Sequence, residues 1–137
     1  MRDYLANEVR NIVLLGHAGS GKSSLVESIL YFNKVTDRMD RTSAMDFDSE
    51  EQKRGQSVYT ALAPIEWKNC KINFIDTPGY FDFYGETAAG VKVADNALIV
   101  VSAKDGIETG TEKAYDTAME NNLPTIFFVN KMDDEHA

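Results

Sequence analysis

The sequence predicts an α/β protein of three layers, with helices on both faces of a mostly parallel sheet that includes one antiparallel strand. Three observations lead there. Strand-length apolar runs alternate with segments of helical period, the order that builds a parallel sheet covered by helices. One pair of runs is joined by the short polar stretch "WKNCK", a hairpin turn that makes its two strands antiparallel neighbours. A length of 137 residues, 43% apolar and 26% charged, suits one ordinary globular core rather than two.

The elements follow in order. "NIVLLG" is a buried strand ended by Gly16, and "SSLVESILYF" places Leu25, Val26, Ile29 and Leu30 on one side of a helix. From Asn33 to Ser57 the chain is polar, acidic and aperiodic; a stretch of that length within a domain is functional or disordered. "VYTALAPIEW" alternates as a half-exposed strand, and Pro64 confines it to a sheet edge or a bulge. Trp67, beside the turn, reads as edge packing. "KINFID" is a more buried strand, "ETAAGVKVA" a short helix and "NALIVVSA" another strand. "IETGTEKAYDTAMENN" is an amphipathic helix stopped at Leu123-Pro124, and "TIFFVN" is the last strand.

A net charge of -8 argues against gripping nucleic acid through a basic surface, so no DNA partner is expected. One cysteine, Cys70, cannot close an internal disulfide, which suits a reducing cytosol. "MRDYLANEVR" lacks the apolar core of a signal peptide, and "ALIVV" and "TIFFV" are too short to span a membrane. A cytoplasmic, monomeric protein without a membrane partner is the expectation.

Three stretches carry chemistry. "GHAGSGKS" fits G-x-x-x-x-G-K-[ST], leaving a strand and opening a helix as a phosphate-binding loop does. Gly16, His17, Ala18, Gly19, Ser20, Gly21, Lys22, Ser23 and Ser24 are therefore the candidate phosphate-binding residues. The three glycines let backbone N–H groups approach phosphate oxygens, and the following helix N-terminus favours negative charge. Lys22 would reach the outer phosphates, and the Ser23 hydroxyl would ligate magnesium. The fold is thus that of a P-loop NTPase.

"DTPG" ends a buried strand, where open α/β sheets place their ligands. Asp76 would hold the magnesium ion through water, and the Gly79 N–H would meet the terminal phosphate. "NKMD" ends another. The Asp133 carboxylate can accept two hydrogen bonds from the N1–H and 2-amino edge of guanine, a pattern adenine lacks. Buried pairings of this kind discriminate by roughly four orders of magnitude. Asn130 would brace the loop, and the stem of Lys131 would cover the base. A P-loop ATPase of another class is the competing reading, and Asp133 argues against it.

Together the motifs resemble those of translational GTPases, and the intervening text resembles elongation factor G-like proteins. "MDFDSEEQKRGQSV" is similar to the family's first switch segment and "DTPGYFDF" to its D-T-P-G-H-V-D-F; "VADNALIVVSAKDGIETGTEKAYDTAMENNLPTIFFVNKMD" tracks the text up to the guanine motif. The resemblance runs from Arg10 onward. It implies a GTP-dependent factor acting on the ribosome, with GTP or GDP and Mg2+ as cofactors. It makes Ser57 a further phosphate and metal ligand beside Ser23 and Asp76, and Lys22, Gly79 and the residue at position 80 the catalytic positions. It also implies that residues 1–137 form the N-terminal portion of the G domain of a longer multidomain factor, truncated before that domain's last strand and helix.

The sequence departs from the family pattern in several places. Ser57 replaces a threonine and keeps its hydroxyl and N–H. Gln56 replaces an apolar residue that fences the attacking water; its amide either bonds that water or faces solvent. Ala18 and Gly19 replace a larger residue and an aspartate. Tyr80 replaces the histidine that places the water. A phenol stays neutral near pH 7, its ordinary pKa being about 10, so it can bond the water but not become a cation there. That loss is worth roughly two to four orders of magnitude in rate. Tyr80 either positions water or packs with Phe81 and Phe83. The chain is accordingly read as a GTPase or, alternatively, as a GTP-gated ribosome-associated binding factor with very slow hydrolysis.

Overall fold

A computed structural model of the chain describes residues 2–36, 59–79, 84–135 and 137. The expectations for Gln56, Ser57, Tyr80, Phe81 and Phe83, and for the first switch segment, lie outside the described residues.

Alternating apolar runs become five strands: β1 (Val9–Leu15), β2 (Ala61–Trp67), β3 (Cys70–Asp76), β4 (Asn96–Ser102) and β5 (Thr125–Asn130). Among the described residues three helices lie between them: α1 (Lys22–Phe32), α2 (Tyr84–Val93) and α3 (Thr109–Glu120). The sheet order is β2-β3-β1-β4-β5. β2 runs antiparallel to β3; every other pairing is parallel. This is the predicted α/β architecture, one antiparallel strand included.

The antiparallel strand sits where the residues require. Lys68 and Asn69 join β2 to β3 at φ 45 and 63, the left-handed pair that closes a two-residue hairpin. Pro64 pairs opposite Asn73 on the edge strand β2, where its missing N–H deprives no outer neighbour. Trp67 departs from its expectation: at the strand end it is 55% exposed, the Lys68 ammonium 5.9 Å from its ring centre, rather than packed at the edge.

Strand alternation divides the core between the two faces of the sheet. Leu14, Phe74 and Val100 face α1 and meet Val26 and Leu30, with Ala61, Ala63 and Ile65 of β2 completing that layer. Val13, Leu15, Ile75, Ala97 and Ile99 face the other way, against Val91 of α2 and Ala114 and Ala118 of α3. The outer strand β5 is less covered: Ile126 is 66% and Phe127 52% exposed, and these neighbours point to opposite faces. A short 3-10 turn, Ala6–Glu8, precedes β1 without a sequence signal. Its segment is strapped to the hairpin by Tyr4, whose hydroxyl donates to Glu66 Oε1 at 2.8 Å, and by Arg2, which donates to the Asn69 carbonyl at 3.0 Å.

Because β1 lies between β3 and β4, successive connections leave it toward opposite edges of the sheet. The crevice at the carboxyl ends of such strands is where this architecture receives ligands.

Candidate functional site

The loop after β1 forms the floor of that crevice. Gly16, Gly19 and Gly21 take φ of 137, 77 and 96, conformations that residues with a Cβ rarely adopt. They turn the chain from the strand into the N-terminus of α1. Lys22, the first residue of α1, is only 6% exposed. Its ammonium donates to the carbonyls of Gly16 and His17, each at 3.1 Å, and is thereby held within the loop. Burial pushes the Lys22 pKa below its ordinary value, and the negative charge of Asp76 partly opposes that shift. A buried cation thus lies inside a concave loop of backbone amides.

β3 delivers Asp76, which is 1% exposed. The Ser23 hydroxyl donates to Asp76 Oδ2 at 2.5 Å, bringing together two predicted metal ligands 53 residues apart in sequence. A hydroxyl and a carboxylate are hard oxygen donors, the type Mg2+ prefers, so these residues fit the expected ion. The next residue, Thr77, donates its hydroxyl to the Leu14 carbonyl at 2.6 Å and pins the turn to β1. Gly79 follows with no room to spare. A Cβ there would lie 2.5 Å from Lys22 Nζ and 2.7 Å from the Ala18 N and Cα. The turn and the phosphate loop are therefore in backbone contact.

β5 delivers the third stretch. Asn130 Nδ2 donates to the Ser20 carbonyl at 3.0 Å, across 110 residues of sequence, so the expected bracing residue braces the phosphate loop itself. Its own carbonyl accepts the Ala103 N–H at 2.8 Å, which ties in the loop after β4. Lys131 turns the chain at φ 58, and Asp133 is exposed beyond it. Lys131, Asp133, Asp134 and Glu135 line an open depression of about 490 Å3. Lys104 Nζ lies 3.2 Å from Asp134 Oδ2 and steadies its rim. Ser24 is exposed on the first turn of α1.

The structure thus gathers Gly16 to Ser23, Asp76, Gly79 and Asn130 at one end of the sheet. It also adds Glu108 and Gly110, which the sequence did not flag. His17 Nε2 lies 3.3 Å from Glu108 Oε1, at the N-cap of α3. A Cβ on Gly110 would lie 2.6 Å from His17 Nδ1 and 2.8 Å from its Cα. The His17 imidazole therefore links the loop after β1 to α3. No local pattern signals that contact, because Glu108 is 91 positions away.

Known proteins resemble the chain throughout. A family model described as "Elongation factor Tu GTP binding domain" matches residues 7–137. An elongation factor G-like protein of Thermotoga maritima is 43% identical over 129 residues, covering 94% of this chain and 19% of its own. The tetracycline resistance protein TetM from transposon Tn1545 of Enterococcus faecalis is 38% identical, with 92% and 20% covered. A crystal structure of a protein from Thermus thermophilus superposes with a TM-score of 0.89 at 36% identity, over 92% of this chain and 20% of that one. A bacterial selenocysteine-specific elongation factor gives 0.75 at 27% identity, over 92% and 21%. The chain spans about a fifth of the length of these relatives.

Proposed function

The chain belongs to the elongation factor Tu GTP-binding domain family, and from that premise we propose that it binds and hydrolyses GTP within a ribosome-associated translation factor of elongation factor G type. The observation that carries this reading is the meeting of three strand ends. Buried Lys22, the Ser23–Asp76 pair and Asn130 on Ser20 lie along one crevice. In the same proposal, residues 1–137 are the N-terminal portion of the G domain of a longer, cytoplasmic, monomeric factor. The length of the relatives supports a longer factor. Among the described residues no helix is long and apolar enough to cross a membrane.

In this reading the backbone amides of residues 16–23 and the Lys22 ammonium bind the β- and γ-phosphates. Asp133 accepts from the guanine edge, and Asn130 keeps the base loop in register with the phosphate loop. Ser23 would hold Mg2+ with Asp76 acting through water and Ser57 as a further ligand; the ion would supply neutralisation of phosphate charge. The Gly79 N–H donates to the terminal phosphate, and Tyr80 orients the attacking water. Phosphoryl transfer depends mostly on positioning and electrostatics, so a neutral hydroxyl can serve there at reduced rate. Single-turnover phosphate release by the full-length protein, with and without ribosomes, tests the proposal. Ribosomes should accelerate it, and no acceleration would refute it.

The second reading is a factor that holds GTP and turns over very slowly. Tyr80 and Gln56, at positions where the family has histidine and an apolar residue, favour it. Tyr80→His separates the two. A gain of about a hundredfold or more in hydrolysis supports slow turnover, since that is the scale of one water-positioning group. An unchanged or lower rate supports a working tyrosine.

A further inference from the structure

Thr60 donates two hydrogen bonds to Glu86, a contact that the phosphate-binding residues do not account for. The Thr60 N–H donates to Glu86 Oε2 at 3.0 Å, and the Thr60 hydroxyl donates to the Glu86 carbonyl at 3.2 Å. Both bonds are partly buried. Each partner sits at a consequential place. Thr60 immediately precedes β2, whose first residue, Ala61, pairs with Asp76. Glu86 lies in the first turn of α2, and the next residue, Thr87, donates its hydroxyl to the Pro78 carbonyl at 3.3 Å. Pro78 adjoins Gly79, which touches Lys22 and Ala18.

A continuous path of contacts therefore runs from Thr60 through Glu86, Thr87 and Pro78 to Gly79. We infer that the Thr60–Glu86 pair is a positioning device that anchors the start of β2 to the first turn of α2 and, through Thr87 and Pro78, to the turn carrying Gly79, so that recognition of a terminal phosphate by the Gly79 N–H depends on it. The inference rests on the GTP-binding reading above and adds two positioning residues, neither of which touches the nucleotide. A ligand ending at the β-phosphate has no group for the Gly79 N–H to hold. The pair should then favour a triphosphate selectively and leave a diphosphate nearly unaffected.

The test compares affinities of the full-length protein for GDP and for a non-hydrolysable GTP analogue. Glu86→Ala removes the carboxylate acceptor, Glu86→Gln retains an oxygen for the Thr60 N–H, and Thr60→Val removes the hydroxyl at nearly constant volume. Glu86→Ala should weaken the GTP analogue by about tenfold, the scale of one hydrogen bond to a charged group. Its GDP affinity should stay within about twofold. Thr60→Val should lose about three- to fivefold, again for the analogue alone. Glu86→Gln should recover most of the loss. Equal losses for both nucleotides, the result of a merely structural contact, would overturn the inference, as would unchanged affinities in folded variants. Failure of the unmutated protein to bind either nucleotide would instead overturn the GTP-binding reading itself.

Discussion

Replacing Asn130 by alanine tests whether the base loop and the phosphate loop act as one unit. The side chain donates one hydrogen bond, from Nδ2 to the Ser20 carbonyl at 3.0 Å. Ser20 is 2% exposed, so the carbonyl is left where water reaches it poorly. Losing a hydrogen bond while leaving one buried partner unsatisfied costs about 1–3 kcal/mol. Asn130 is itself only partly buried, which places the expectation near the lower end, about 1–2 kcal/mol. Urea unfolding of the nucleotide-free protein should show that loss as a lower midpoint at constant slope. GDP affinity should fall by at least a further factor of about five, because the two loops no longer share a register. The assays are urea titration followed by fluorescence and GDP titration by calorimetry. A stability change below about 0.3 kcal/mol, together with a GDP affinity within twofold, would refute the bracing role.

Three further outcomes are expected. Gly110→Ala drives a methyl group into the space of the His17 ring and backbone; about 1–3 kcal/mol should be lost, and a melting temperature equal to that of the parent would contradict the packing. Burial holds the Lys22 pKa below the ordinary 10.5, so between the folded value and 10.5 the unfolded chain binds more protons and stability rises with pH. Paired urea titrations should show the nucleotide-free parent gaining stability relative to Lys22→Met as pH climbs toward 10.5, and a pH-independent difference would refute the shift. Asp133→Asn should lower the preference for GDP over ADP by about tenfold or more, the scale of losing charged hydrogen bonds; competition binding reads it, and an unchanged ratio would remove Asp133 from base recognition.

Much of the fold was legible because it depends on local rules. Pro64 narrowed its strand to a sheet edge or a bulge through its missing N–H, and the structure places it at the edge; "WKNCK" marked the hairpin. Strand geometry then sets Leu14 opposite Val13 and Leu15, which is how the two core layers divide. The conformation of the loop from Gly16 to Ser23 was legible for a similar reason: glycines, lysine and serine at fixed spacing between a strand and a helix require one another locally. What stayed illegible was long-range. Trp67 looked like packing and is mostly exposed, because its fate depends on what lies beyond the strand end. Nothing near His17 announced Glu108 or Gly110, and nothing near Thr60 announced Glu86.

The sequence by itself determined the order of the elements, the three loops at strand ends and the chemical type of each candidate ligand. Side-chain periodicity and backbone sterics act over a few residues, and they suffice for that. Tertiary structure alone decided which loops meet. Strand order β2-β3-β1-β4-β5 brings Asp76 to Ser23 and Asn130 to Ser20. Buried parallel strands carry similar apolar runs whatever their neighbours, so periodicity does not encode that order. The burial that lowers the Lys22 pKa, the His17–Glu108 link and the Thr60–Glu86 pair all follow from it.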